Sequence, residues 1–180
     1  MGSEVIQNHT NYRQWLGELK ARFRQVQLKA AVAVNTALLQ FYWDLGADIV
    51  ARQALADWGS GFLNQLSADL MHEFPEMKGF SASNLKYIRQ WHQFWVSTQI
   101  SQQPVGQIGR QAVAQLMKQP VEQILSIPWG HNLAIIAKCK QHDEAQYYVK
   151  NTQTQGWSRS VLVHQIENDL WQPVGRVSVA

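Results

Sequence analysis

The sequence has a single cysteine, Cys139, so no disulfide can form within the chain, and a reducing cytoplasm is its natural compartment. No apolar run is long enough for a membrane: the longest, near Ala30 to Val34, falls far short of the roughly 20 residues a spanning helix needs. The opening MGSEVIQNHTNYRQW lacks the apolar segment of a signal peptide. The sequence therefore points to a cytoplasmic protein with no membrane association. Charge is also scarce. Asp, Glu, Lys and Arg make up 16% of residues, and the net charge is +3 with a pI near 9.1. So mild a basic balance permits phosphate contact without requiring it.

Signatures of catalysis are missing as well. HEFPE at His72 has no second histidine, so it is not a zinc-protease helix, and GSGF lacks the Lys and Thr of a phosphate loop. Metal-dependent nucleases cluster carboxylates with a nearby lysine to hold Mg²⁺ and activate water, and no such cluster is legible. Cys139 and His142 are spaced for a shared metal, but two ligands do not make a site, and Cys139 has no base partner. His92 borders an apolar helix face and reads as a hydrogen-bonded core residue. The sequence thus assigns no catalytic residue, no metal site and no cofactor.

What is present is helical periodicity and tryptophan. The eight Trp each bring a large apolar surface and an indole N–H that wants a partner when buried. From Tyr12, apolar residues fall at Leu16, Leu19, Phe23, Val26, Ala30, Ala33 and Ala37, in alternating steps of four and three. That is heptad spacing. It fits a long helix packed inside one domain, or a seam that pairs two chains. The pattern continues through LLQFYWDLGADIVARQAL, where Gly46 is expected to bend or divide the helix. DWGSGF breaks the pattern. LNQLSADLMHEF then reads as a helix ended by Pro75, with Leu63, Leu66, Leu70 and Phe74 on one side.

SASNLKYIRQWHQFWVST is the next helix, capped by Ser81 or Ser83. With the helix before it, it resembles a helix-turn-helix. At 100° per residue, Tyr87, Ile88, Trp91, Phe94 and Trp95 share a broad apolar face, and Lys86, Arg89, Gln90 and Gln93 the opposite one. Lys and Arg pair with phosphate or guanine and Gln with adenine, so that polar face is the candidate DNA contact. Ser83 and the amides at the helix start suit a phosphate. Lys20 and Arg24, in the basic stretch with Arg13, Arg22 and Lys29, are a candidate backbone-contacting flank. A solvated helix face accounts for the same residues without any ligand.

Further along, Pro120 separates two short apolar pieces and Pro128 closes them. NLAIIAKCK, DEAQYYVKNTQTQ and SRSVLVHQIENDLW read as three more helices, with Gly156 as a C-cap and Ser158 as an N-cap. Val161, Leu162 and Ile166 are expected to face inward, and Trp157 to staple the helix start. Arg159 is a weaker candidate for DNA contact. The expected organisation is a disordered or expression-derived lead over 1–11, the long helix and helix-turn-helix-like unit over 12–100, and a linker or wing over 101–110. A C-terminal helical part of the same domain follows over 111–171, with a tail over 172–180.

Four separated motifs occur together: NTALLQFYWDLGADIV, the GFSASNL stretch with its aromatics, IPWGH, and EAQYYVKNTQTQGWS. In this order they resemble the N-terminal domain of the YhcG-type bacterial proteins, the DUF1016 family. The likeness covers about Tyr12 to Leu170. It implies an α-helical DNA-binding domain placed ahead of a PDDEXK-type nuclease domain. The chain stops at Ala180, where that nuclease would begin, and its QPVGRVSVA tail departs from the family, so no catalytic carboxylate is carried over. The expectation is an all-α domain, not itself an enzyme, that binds DNA and positions a nuclease in cis or in trans. The rival expectation is a protein-interaction module that forms a homodimer through its N-terminal helix without touching nucleic acid.

Overall fold

In the computed structural model of the chain, residues 2–55, 61–101 and 118–172 are described. The linker or wing expected at 101–110 lies outside them except for Ser101, and so does the tail from 173 onward. Among the described residues every regular element is helical, and no helix is long and apolar enough to cross a membrane. The order is α1 (Gly2–Leu55), α2 (Phe62–Glu73), a 3₁₀ turn (Lys78–Phe80), α3 (Ala82–Ser101), α4 (Lys118–Ser126), α5 (Trp129–Lys138), α6 (His142–Gln155) and α7 (Arg159–Glu167).

α1 has two halves with different environments. From Leu39 onward most of its apolar residues enter the core: Leu39, Tyr42 and Ile49 are buried, and Trp43 and Leu45 are half-buried against the core, while Phe41 stays exposed. Ahead of that, from Tyr12 to Val34, only Leu16 is even half-buried. The packed-helix reading of the heptads therefore holds for the C-terminal half and fails for the N-terminal half. α1 also begins at Gly2, ahead of the start at Tyr12 that the heptad steps give.

Gly46 does not divide α1, which runs unbroken through it. Its role is proximity. A Cβ there would lie 2.7 Å from the His92 Cβ and 3.1 Å from the Ile88 carbonyl oxygen, so only glycine lets α1 press this close to α3. Around that crossing α3 buries Leu85, Ile88, Trp91 and Trp95. α2 and α5 pack on α3 as well, α4 on α1, and α6 and α7 complete the core with Tyr148, Val149, Leu162 and Ile166.

The caps follow the local sequence. Gly156 ends α6 in the left-handed conformation at φ 64°, and the Ser158 hydroxyl accepts the Val161 N–H to start α7. The apolar piece ahead of Pro120 lies outside the described residues, apart from Lys118 and Gln119, so the separation expected at this proline is seen from one side only. Pro120 lies near the start of α4, where a missing N–H costs nothing, and Pro128 is the N-cap of α5. Val161 is not inward: it is 40% exposed, while Leu162 and Ile166 carry the buried face of α7.

Candidate nucleic-acid interface

α3 starts where the Ser81 hydroxyl accepts the Asn84 N–H at 3.3 Å, which settles the capping residue as Ser81. The connection from α2 runs from Phe74 to Ser81 and includes the 3₁₀ turn. It is longer than the turn of about three or four residues in a helix-turn-helix. It is also firmly held. The buried Ser67 hydroxyl donates to the Phe80 carbonyl at 2.7 Å, and the Phe74 and Phe80 rings meet at 6.1 Å. α3 is thus fixed on its inner side by apolar packing and at its start by hydrogen bonds.

Its outer side presents Ser83, Lys86, Gln90 and Gln93 to solvent. At 100° per residue these four fall within one arc, and α3 contains no acidic residue to neutralise it. Tyr87 joins them. It is 46% exposed and not part of the apolar face, because its position on the helix lies between Ser83 and Trp91, at the rim of the packed arc. Arg89 behaves differently from its expected companions. It is half-buried, its Nη1 donates to Gln53 Oε1 of α1 at 3.0 Å, and its Nε is buried without a partner. Arg89 therefore belongs first to the seam between α1 and α3.

Lys20 and Arg24 are exposed on the N-terminal half of α1, together with Arg13, Arg22 and Lys29. From Arg24 to Leu39, where α1 enters the core, the helix rises on the order of 20 Å. The basic flank is therefore a separate surface from the α3 strip. Arg159 is exposed at the first position of α7, its side chain lying over Gly130 at the start of α5.

A polar knot that the sequence does not reveal lies beneath the strip. Trp129 Nε1 donates to Asn84 Oδ1 at 2.9 Å, and Asn84 Nδ2 donates to the Gly79 carbonyl at 2.6 Å. The Tyr42 hydroxyl is pressed against the Gly79 Cα, where a Cβ would collide with it. Burial raises the Tyr42 pKa, and a hydrogen bond with Asn84 partly offsets this. A second link joins Trp91 Nε1 to Asn132 Oδ1, and His131 Nε2 lies 3.0 Å from the Trp157 carbonyl oxygen. The motifs NTALLQFYWDLG, GFSASNL, PWGH and GWS thus meet one another in space. The only signal in the sequence was that each pairs aromatics with Asn, His or Gly.

The titratable groups here are poor reagents. Burial, with Glu144 nearby, pushes the Cys139 thiol up to about 12, which leaves it protonated and unreactive. His92 is not hydrogen-bonded through Nδ1, which is buried without a partner. Its ring packs 4.7 Å from that of Trp43, and burial lowers its pKa. Among the described residues, no group of three His, Cys, Asp or Glu is placed to hold a metal ion.

These features define an all-α scaffold that buries its aromatic motifs and leaves a short, acid-free strip on one helix. The chain matches the family model described as the DUF1016 N-terminal domain over residues 18–173, and it belongs to that family. No curated protein and no solved structure matches the chain significantly.

Proposed function

We propose that this domain binds DNA through the outer strip of α3 and thereby positions a nuclease domain carried in the same chain or by a partner. The observation that supports this reading most is the joint exposure of Ser83, Lys86, Gln90 and Gln93 on a helix without acidic residues. Lys86 supplies the cation for phosphate or guanine, and the two glutamines supply paired donor and acceptor groups for a base edge. Ser83, in the first turn, lies beside the free amides of the helix N-terminus, a natural seat for a phosphate. Arg89, tied to Gln53, positions the strip against α1 and reaches a ligand only if that bond opens. Lys20, Arg24 and Arg159 are outlying phosphate contacts in this reading.

The experiment is a titration of a labelled duplex and a labelled four-way junction at two salt concentrations. Affinity is expected to fall steeply with salt, and Lys86→Ala to weaken binding and reduce the salt slope by about 1. Absence of binding to either DNA at low salt would refute it.

A further inference from the structure

The N-terminal half of α1 carries an apolar face that nothing among the described residues covers. Tyr12, Phe23 and Val26 are 56%, 61% and 63% exposed, and Leu19 is 42% exposed. A bare helix of this kind lacks its usual support, because most helical stability in proteins comes from a packed face rather than from propensity. We propose that the occupant of this face is a second copy of the chain, docked parallel and in register over residues 12–37 as a two-stranded coiled coil.

The spacing favours a helical partner. Leu16, Phe23, Ala30 and Ala37 take the a positions, and Tyr12, Leu19, Val26 and Ala33 the d positions. Arg13, Lys20, Arg22 and Lys29 stand beside this seam at e and g. The a/d stripe keeps constant heptad spacing along the whole exposed stretch, a path that a second helix can follow, and Trp15 at g and Val34 at e widen it. A second copy presents the same stripe at the same spacing, which makes the contact self-complementary about a two-fold axis.

The flanking charges select the orientation. In a parallel, in-register pair each g residue faces the e residue of the next heptad on the other chain. The pairs are then Trp15 with Lys20, Arg22 with Gln27, and Lys29 with Val34, so no cation meets a cation. Full antiparallel overlap would set Arg22 of each chain against Lys29 of the other, two like-charge pairs. The area is adequate. Tyr12, Trp15 and Phe23 are about half open, and a fully buried aromatic covers about 150–250 Å². With Leu19, Val26 and the alanines the stripe offers roughly 500 Å² per chain, or ~1,000 Å² per pair, the size at which specific interfaces begin. This pairing does not depend on the nucleic-acid reading, but it would set two α3 strips on one particle.

Sedimentation of the full chain at micromolar concentration tests it, and the expected species has twice the 20.6 kDa chain mass. Phe23→Asp is expected to yield a monomer, weakening pairing about 100-fold or more by forcing a carboxylate into an apolar seam. The near-ultraviolet circular dichroism from the buried Trp91 should persist in that variant, because Phe23 contributes nothing to the body. Val26→Cys is expected to form a disulfide between the two copies of residue 26 on mild oxidation, Cys139 being buried. A monomeric wild type, or a dimer indifferent to Phe23→Asp, would overturn the seam. A dimer sensitive to Phe23→Asp but without the residue-26 disulfide would overturn the parallel register.

Discussion

The Trp91 indole N–H donates to Oδ1 of Asn132 at 3.1 Å, with both side chains almost wholly buried. The Nδ2 of Asn132 in turn donates to the carbonyls of Ile124 and Ile127 at 2.9 and 3.2 Å. One amide therefore joins α3, the end of α4 and α5. Asn132→Leu keeps the volume but strands one donor and two acceptors in the core. At about 1–3 kcal/mol for each unsatisfied group, the expected loss is at least about 3 kcal/mol. Urea unfolding followed by tryptophan fluorescence measures it.

Gly79→Ala is expected to destabilise the fold by about 1–3 kcal/mol, because a Cβ there meets the Tyr42 hydroxyl. The cause can be isolated. Tyr42→Phe removes the colliding oxygen, so the cost of Gly79→Ala should shrink in that background, and a double-mutant cycle over the two sites should show coupling. Equal costs in both backgrounds would place the effect elsewhere.

Gly46→Ala sets two effects against each other. Alanine raises helix propensity by about 1 kcal/mol, while its Cβ meets His92 at 2.7 Å and costs about 1–3 kcal/mol in overpacking. The net change is expected to be destabilising. Gly17→Ala is the control: nothing lies within 4 Å of its Cβ, so propensity alone acts and the change should stabilise. Thermal unfolding of the two variants should move in opposite directions.

What could be read from the sequence divides along physical lines. Signals carried by neighbouring residues were legible: the Ser158 and Gly156 caps and the apolar periods of the helices needed only local chemistry. Positions at the rim of a helical arc were misassigned, as with Tyr87 and Val161, because periodicity fixes the centre of a buried face better than its edges. Gly46 looked like a breaker because a sequence does not show which backbone lies opposite. Arg89 looked like a free cation because Gln53, its partner, is 36 residues away. The contact between Asn84 and Trp129 spans 45 residues and was invisible for the same reason. Heptad spacing showed that α1 carries an apolar stripe, but not which half of it the body covers.

Stability should fall as pH drops below about 6.5. Burial lowers the pKa of both His92 and His142, opposed by Asp44 and Asp143 respectively, from an ordinary value of 6.5. Below 6.5 the unfolded chain binds protons that the folded chain resists, so the stabilisation is complete above that value and is lost on acidification. The His142 ring sits 4.7 Å from that of Trp95 and has a buried Nε2 without a partner. Urea midpoints at pH 7.5 and 5.5 measure the effect, and His142→Gln should flatten the difference. The exposed Glu167 carboxyl, hydrogen-bonded to Lys138 and held low by it, acts only in a more acidic window, below its ordinary 4.5.

Charge reversal at Lys86, the exposed cation among the described residues of the outer strip of α3, separates DNA binding from its absence. Lys86 is exposed and lies outside the core, so Lys86→Glu should leave the unfolding midpoint within about 0.5 kcal/mol of wild type. This folded variant is expected to lose DNA affinity tenfold or more, about 1.4 kcal/mol, in a low-salt titration. Unchanged affinity in a folded Lys86→Glu protein would contradict it.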